Sequence, residues 1–231
     1  MKKLKQLSAY FTTTEKLLWG LSVAAILISF AVFGGNGLLT LAASLVGVTS
    51  LILNAKGNPL GLALMVVFSI MYGIISYSFA YYGEMATYLG MTMPMSAASL
   101  VAWLKNPFEG NRSQVKVGKI SGREHIFMWV MAIAVTVLFY FILKALGTAN
   151  IVPSTLSVTT SFIPVYLTLR RSPYYAAGYA ANDVVLIVLW IMASFENTAY
   201  FSVVVCFVAF LVNDLYGLVS WKRMEKAQAS H

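Results

Sequence analysis

Tyr179-Ala-Ala-Asn182-Asp183-Val-Val-Leu-Ile-Val-Leu-Trp190 is a run suited to lipid except for one Asn-Asp pair. A carboxylate at membrane depth is costly, so it normally faces a partner or a wet cavity and marks a candidate site. Asn213-Asp214 repeats the pair in the last apolar run of the chain. The surrounding sequence therefore has to be read as a membrane protein with polar groups placed inside it.

Composition agrees. Of 231 residues 59% are hydrophobic and 10% charged, whereas a soluble domain carries about 25% charged residues. Apolar runs occupy 17–33, 38–54, 59–82, 86–104, 125–146, 153–169, 174–195 and 198–221. Each is long enough for a helix to cross a hydrocarbon core of about 30 Å. The basic start Met1-Lys2-Lys3-Leu4-Lys5 leads into polar Tyr10-Phe-Thr-Thr-Thr14 with no small-residue cleavage site, so the first run is expected to stay as a span.

Charge tests the count of eight. With the amino terminus in the cytoplasm, fifteen Lys and Arg, including Lys16, Lys56, Lys105, Arg123, Arg170, Arg171 and Lys222, fall on that side, and Lys144 alone falls outside. Seven spans would separate the basic tail from the other basic loops. The short outer loops instead carry Glu84 and Glu196. The longest loop, about 105–124, holds the turn formers Pro107, Gly110 and Asn111 and reads as a basic connector lying against anionic headgroups.

The spans repeat internally. Asn58-Pro59 opens the third and Ser172-Pro173 the seventh; Ala80-Tyr81-Tyr82 and Ala193-Ser194-Phe195 close them; Trp103 and Trp221 end the fourth and eighth. Two three-helix units joined by one span have the same orientation, which makes a parallel repeat about an axis along the membrane normal. The expected fold is an all-α polytopic membrane protein of eight transmembrane helices. Residues 1–34 form a cytoplasmic tail and extra helix, and 35–104 the first repeat. Residues 105–152 form the loop and linker helix, 153–221 the second repeat, and 222–231 a cytoplasmic tail.

Helical periodicity sorts the polar residues onto faces. Tyr179, Asn182, Asp183 and Trp190 share one stripe, and Phe210, Asn213 and Asp214 another. The first repeat offers Ser69 and Tyr72 on the third span and Tyr88 and Thr92 on the fourth, with no carboxylate. Asp183 is expected near mid-membrane and Asp214 about 10 Å from the inner boundary, staggered in depth. For Asn213 two readings stand, a bond that holds helices together and a ligand contact. Trp103 and Trp221 read as interfacial anchors, and Met91-Thr-Met-Pro-Met95 as adaptable packing around a kink at Pro94.

The spans carry no deep cation, which disfavours a phosphorylated solute; carboxylate, aromatic faces and neutral polar groups suit a cationic or neutral ring compound with hydroxyls. Other classes fail on particular residues. Cys206 is the lone cysteine, so there is no disulfide framework or cysteine metal site, and no metal or cofactor is expected. Lys144 lies near a helix end, unlike the mid-membrane lysine a retinal protein needs. The chain contains no Walker A or His-Glu-x-x-His motif, and His125 and His231 have no acid–base partner. The +8 charge does not point to nucleic acid, since no basic helix face alternates with aromatics. The expected depth difference between Asp183 and Asp214 counts against an intramembrane dyad, so no enzyme is expected.

Several long stretches resemble a known family: Trp103-Leu-Lys-Asn106-Pro107-Phe-Glu-Gly-Asn111-Arg, Phe141-Ile-Leu-Lys-Ala-Leu-Gly-Thr-Ala-Asn150, Arg170-Arg-Ser-Pro-Tyr-Tyr175, Tyr179-Ala-Ala-Asn182-Asp183 and Asn213-Asp214-Leu-Tyr-Gly217. The chain resembles, over nearly its whole length, the PnuC-type nicotinamide riboside transporters of bacteria. The resemblance implies a 3+1+3 arrangement like that of the SWEET proteins, a homotrimer in the cytoplasmic (inner) membrane, and facilitated diffusion of nicotinamide riboside, an NAD precursor. It also implies a cytoplasmic kinase that phosphorylates the vitamin and traps it. The extra first helix departs from a seven-helix core. Helix faces then suggest roles: Asp183 compensating the pyridinium, Trp190 or Tyr179 stacking on the ring, Asn182 and Asn213 holding amide or hydroxyls. Two alternatives stay open, proton coupling through Asp183 or Asp214 and a non-transporting membrane subunit.

Overall fold

The computed structural model describes residues 10–33, 37–78, 81–148 and 150–230. The basic start Met1–Lys5, Ala80, Ala149 and His231 lie outside the described residues.

The chain runs α1 (Thr13–Phe33), α2 (Leu38–Ala55), α3 (Pro59–Ser78), α4 (Tyr82–Thr87), a π-helical turn (Tyr88–Thr92), α5 (Met93–Leu104), strands β1 (Pro107–Phe108) and β2 (Asn111–Val115), α6 (Gly122–Ala145), α7 (Ile151–Leu169), α8 (Tyr175–Ser194), a 3-10 turn (Thr198–Tyr200) and α9 (Phe201–Ala229). Among the described residues, seven helices, α1 to α3 and α6 to α9, are long and apolar enough to cross a membrane. The run expected at 86–104 takes a broken form, α4 and α5 about the π turn. Pro94, in the first turn of α5, supplies the reason: it lacks an N–H and its ring crowds the carbonyl one turn back, so the helix widens there.

The all-helical fold is as expected, and the difference lies in the 105–124 loop, expected as a plain connector. The loop after α5 folds into an antiparallel hairpin that works as a strap. Val115 N–H donates to Gly57 O at 3.0 Å, Lys116 N–H to Asn106 O at 2.9 Å and Gly118 N–H to Arg171 O at 2.9 Å. Val117 N–H donates to Gln228 Oε1 at 2.8 Å. These bonds bring the α2–α3 turn, the α7–α8 turn and the end of α9 together, so the basic loops share one end of the bundle, called the basic end below.

The two turns held by the strap are built alike. After α2, Asn58 N–H reaches Leu53 O at 3.0 Å and Gly57 N–H reaches Asn54 O at 2.9 Å; after α7, Ser172 N–H reaches Leu167 O at 2.9 Å and Arg171 N–H reaches Thr168 O at 3.0 Å. Both are Schellman caps with a left-handed residue, Gly57 at φ 68° and Arg171 at φ 57°. Two tryptophans cross-brace them. Trp221 Nε1 donates to Asn54 O at 2.8 Å and Trp103 Nε1 donates to Thr168 O at 2.9 Å. Neither indole faces outward as expected of an anchor: both are fully buried, because the carbonyls freed at the helix ends need donors.

α1 packs against both α2 and α9. Its Glu15 is buried and ion-paired with Lys56 at 3.1 Å. The faces of α6 are mostly apolar and exposed, through Ile126, Val130, Ile133, Val137 and Phe141, as fits a helix in contact with lipid.

Candidate functional site

α8 leaves the basic end and α9 returns to it, packed side by side. Asp183 lies eight residues from Tyr175 and Asp214 seven from Trp221, about 12 and about 10 Å from that end at 1.5 Å per residue. The stagger expected from sequence is therefore absent: measured from the same end, the two depths nearly coincide. The carboxyl groups lie close enough to interact directly, and both residues are buried. Two carboxylates this close repel unless a proton or a cation lies with them.

A small cavity adjoins the pair, about 20 Å³, room for about one water. Its walls come from α2 (Leu51), α3 (Met65, Phe68), the π turn (Tyr88, Thr92), α7 (Ser161), α8 (Tyr179, Asn182, Asp183) and α9 (Phe210, Asp214). Seven of the expected site residues thus meet here: Tyr88, Thr92, Tyr179, Asn182, Asp183, Phe210 and Asp214. Asn182 is set by α7, where Thr160 Oγ1 and Ser161 Oγ donate to its Oδ1 at 2.8 and 3.0 Å.

Four others lie elsewhere. Asn213 turns to α1 and donates through Nδ2 to Ser22 Oγ at 2.9 Å and to Ala209 O at 2.7 Å. Ser69 donates back to Met65 O at 2.7 Å. Trp190 Nε1 donates to Tyr72 OH at 2.6 Å, and both belong to an aromatic layer on the side of the cavity away from the basic end. Reading helix faces missed Leu51, Met65, Phe68 and Ser161. For Ser161 a signal existed: Ser154, Ser157, Ser161 and Thr168 form a polar stripe on α7, all buried.

Aromatic layers close the cavity on both sides. Toward the basic end Trp103, Tyr175 and Trp221 pack together, the indoles tilted with centroids 5.2 Å apart and Tyr175 edge-on to Trp221 at 4.9 Å. On the far side Tyr72 and Tyr88 approach to 4.5 Å, and Tyr81 and Trp190 to 5.2 Å. The cavity as it stands is too small for a small organic molecule, whose site has a volume of roughly 300 Å³ or more. A wider cleft of about 230 Å³ opens at the basic end beside Tyr10, Glu15, Lys56 and Gln114. Its charges, Glu15 and Lys56, neutralise each other, so it offers a solute no net charge.

Residues 37–223 match the model of a family described as nicotinamide mononucleotide transporter. The chain belongs to that family. A relative from Neisseria mucosa, named as the nicotinamide riboside transporter PnuC, is 23% identical over 218 residues, 93% of this chain and 83% of the relative. A solved structure titled as the vitamin B3 transporter PnuC superimposes with a TM-score of 0.82 at 21% identity, covering 94% of each chain; it establishes the shared fold. For a member of this transporter family, the lining sets the chemistry. Two acids, the rings of Phe68, Tyr88, Tyr179 and Phe210, and the neutral polar Asn182, Ser161 and Thr92 face the cavity, with no Lys, Arg or His among the lining residues.

Proposed function

We propose that the protein carries nicotinamide riboside into the bacterial cytoplasm by facilitated diffusion, alternating access around the Asp183–Asp214 cavity. The observation that carries this reading is a buried acid pair walled by aromatic rings without a cation. A pyridinium satisfies the pair electrostatically and stacks on Tyr179 or Phe210, while Asn182, Ser161 and Thr92 suit the amide and ribose hydroxyls. The mononucleotide adds a phosphate of roughly −1.5 to −2 charge, which the two acids would repel. The name of the Neisseria relative points to the same vitamin.

In this reading the chain crosses the membrane eight times, an extra helix ahead of a 3+1+3 parallel repeat, with both termini and the basic end in the cytoplasm. The paired Schellman turns and the crossed Trp103 and Trp221 bonds support the repeat, and the gathered basic loops support the orientation. The homotrimer and the trapping kinase implied by the resemblance belong to the same proposal, as does the absence of catalysis.

The test is equilibrium binding of the purified protein to nicotinamide riboside, nicotinamide, thiamine and nicotinamide mononucleotide, with uptake into liposomes. Binding of the riboside and saturable flux without an ion gradient are expected; tight binding of the mononucleotide overturns the charge reasoning. The contact between Asp183 and Asp214 also favours a second reading, in which the pair holds a transported proton. Uphill accumulation driven by a pH gradient in protein-only vesicles would decide for that reading.

A further inference from the structure

Glu84 was expected in a short outer loop, and the first repeat was expected to contain no carboxylate. The structure overturns both: Glu84 lies on α4 and is fully buried. Its Oε1 accepts from Ser157 Oγ of α7 at 2.6 Å, and its Oε2 has no hydrogen-bond partner among the described residues. A buried carboxyl with one oxygen unsatisfied is an expensive feature, and the proposed mechanism does not use it.

Its position gives it a use. Glu84, Tyr88 and Thr92 follow one another at successive turns of the same helical segment, and the last two line the cavity. Glu84 thus lies about 6 Å beyond Tyr88 along the helix, on the side away from the basic end. Tyr72, Tyr81 and Tyr88 are its electrostatic neighbours, so it has the same combination of acid and aromatic rings as the central pair. α4 closes tightly on its neighbours: a Cβ added to Gly83 would stand 3.2 Å from Ser154 Cβ and 3.3 Å from Leu143 Cδ2. Below it the π turn interrupts the regular hydrogen-bond ladder, a natural place for the helix to bend.

We propose that Glu84 is an outer subsite for an organic ring cation, uncovered when α4 swings away from α7 about the π turn and capped by Ser157 in the closed state. The solute meets this carboxylate first and passes along Tyr88 to Asp183 and Asp214. The inference rests on the reading above that the basic end is cytoplasmic and the solute a cationic nucleoside.

The test compares uptake of nicotinamide riboside with uptake of its uncharged dihydropyridine form in proteoliposomes. Glu84→Gln keeps an acceptor for Ser157 and removes the charge. It should raise the external KM for the cation about tenfold, equivalent to about 1.4 kcal/mol, with the maximal rate and the uptake of the neutral form unchanged. Ser157→Ala keeps the charge and removes the cap, and should leave the KM for the cation unchanged or lower. An unchanged KM in folded E84Q overturns the subsite, and so does an equal loss for both solutes. If E84Q does not fold, S157A decides alone, a raised KM for the cation counting against the subsite. A wild type that carries neither solute refutes the transport reading and the subsite together, whereas wild-type flux with an indifferent E84Q refutes the subsite alone.

Discussion

Replacing Asp183 by Asn separates recognition from scaffolding. A pyridinium nitrogen about 5 Å from a carboxylate is attracted by roughly 3 kcal/mol at an effective dielectric constant of about 20. Asp214, in contact with Asp183, remains to supply part of that attraction, so the expected loss is about 1.5 to 2 kcal/mol, a ten- to thirtyfold weaker Kd. The fold should not suffer, because the amide introduced by the substitution can donate to Asp214 and relieves the repulsion between two buried acids. The signature of D183N is therefore weaker riboside binding by titration calorimetry, an undiminished Tm of the ligand-free protein, and a smaller rise of Tm on adding the riboside. A Kd within threefold of wild type, or a Tm that falls by several degrees with binding unchanged, would show that the pair only holds helices together.

Other expectations follow from local geometry. Arg171 holds a left-handed φ of 57° where its counterpart is Gly57 at 68°, so Arg171→Gly should raise Tm and Gly57→Ala lower it, each by about 2 to 4 °C for a change of about 1 kcal/mol; scanning calorimetry of the purified protein checks the pair. At Gly47 a Cβ would stand 3.1 Å from Phe68 Cδ2 and would clash with the ring of Phe210. Gly47→Ala should push Phe210 toward the cavity it lines, and riboside flux in liposomes should fall at least tenfold while the helices persist by circular dichroism. Asn213→Ala removes the tie to Ser22 of α1 and should cost about 1 to 2 kcal/mol of stability with less than a threefold change in riboside affinity; a large loss of affinity would place Asn213 in the ligand site after all.

Seven of the eight expected spans, the stripe through Asn182 and Asp183 and the gathering of basic loops at one end were legible in the sequence because hydropathy, periodicity and charge each act locally. Depth was not, because the sequence places Asp183 relative to the middle of its run and Asp214 relative to the end of its own; counting both from the basic end removes the difference. Glu84 escaped because it opens a short helix at the edge of an apolar run, where a carboxylate ordinarily faces water, and only the packing of α4 on α7 buries it. The indoles of Trp103 and Trp221 were misread for a related reason: an aromatic residue at a helix end suits the headgroup region, yet here each finds a free carbonyl on a helix distant in sequence. Residues such as Leu51 and Met65, being plain apolar side chains, carry no signal that separates a cavity wall from ordinary packing.

The strap that bonds to Gly57 and Arg171 has a mechanical consequence. By tying the two matching turns to one short hairpin, it holds their separation while the far end opens and makes the basic end a fulcrum for that step. α8, with 20 residues, is a lever about 30 Å long, and Asp183 sits about 12 Å along it. A tilt of the helices therefore displaces their far ends about two and a half times as much as the acid pair, so a passage can open above Tyr88 while the carboxyls move less than half as far.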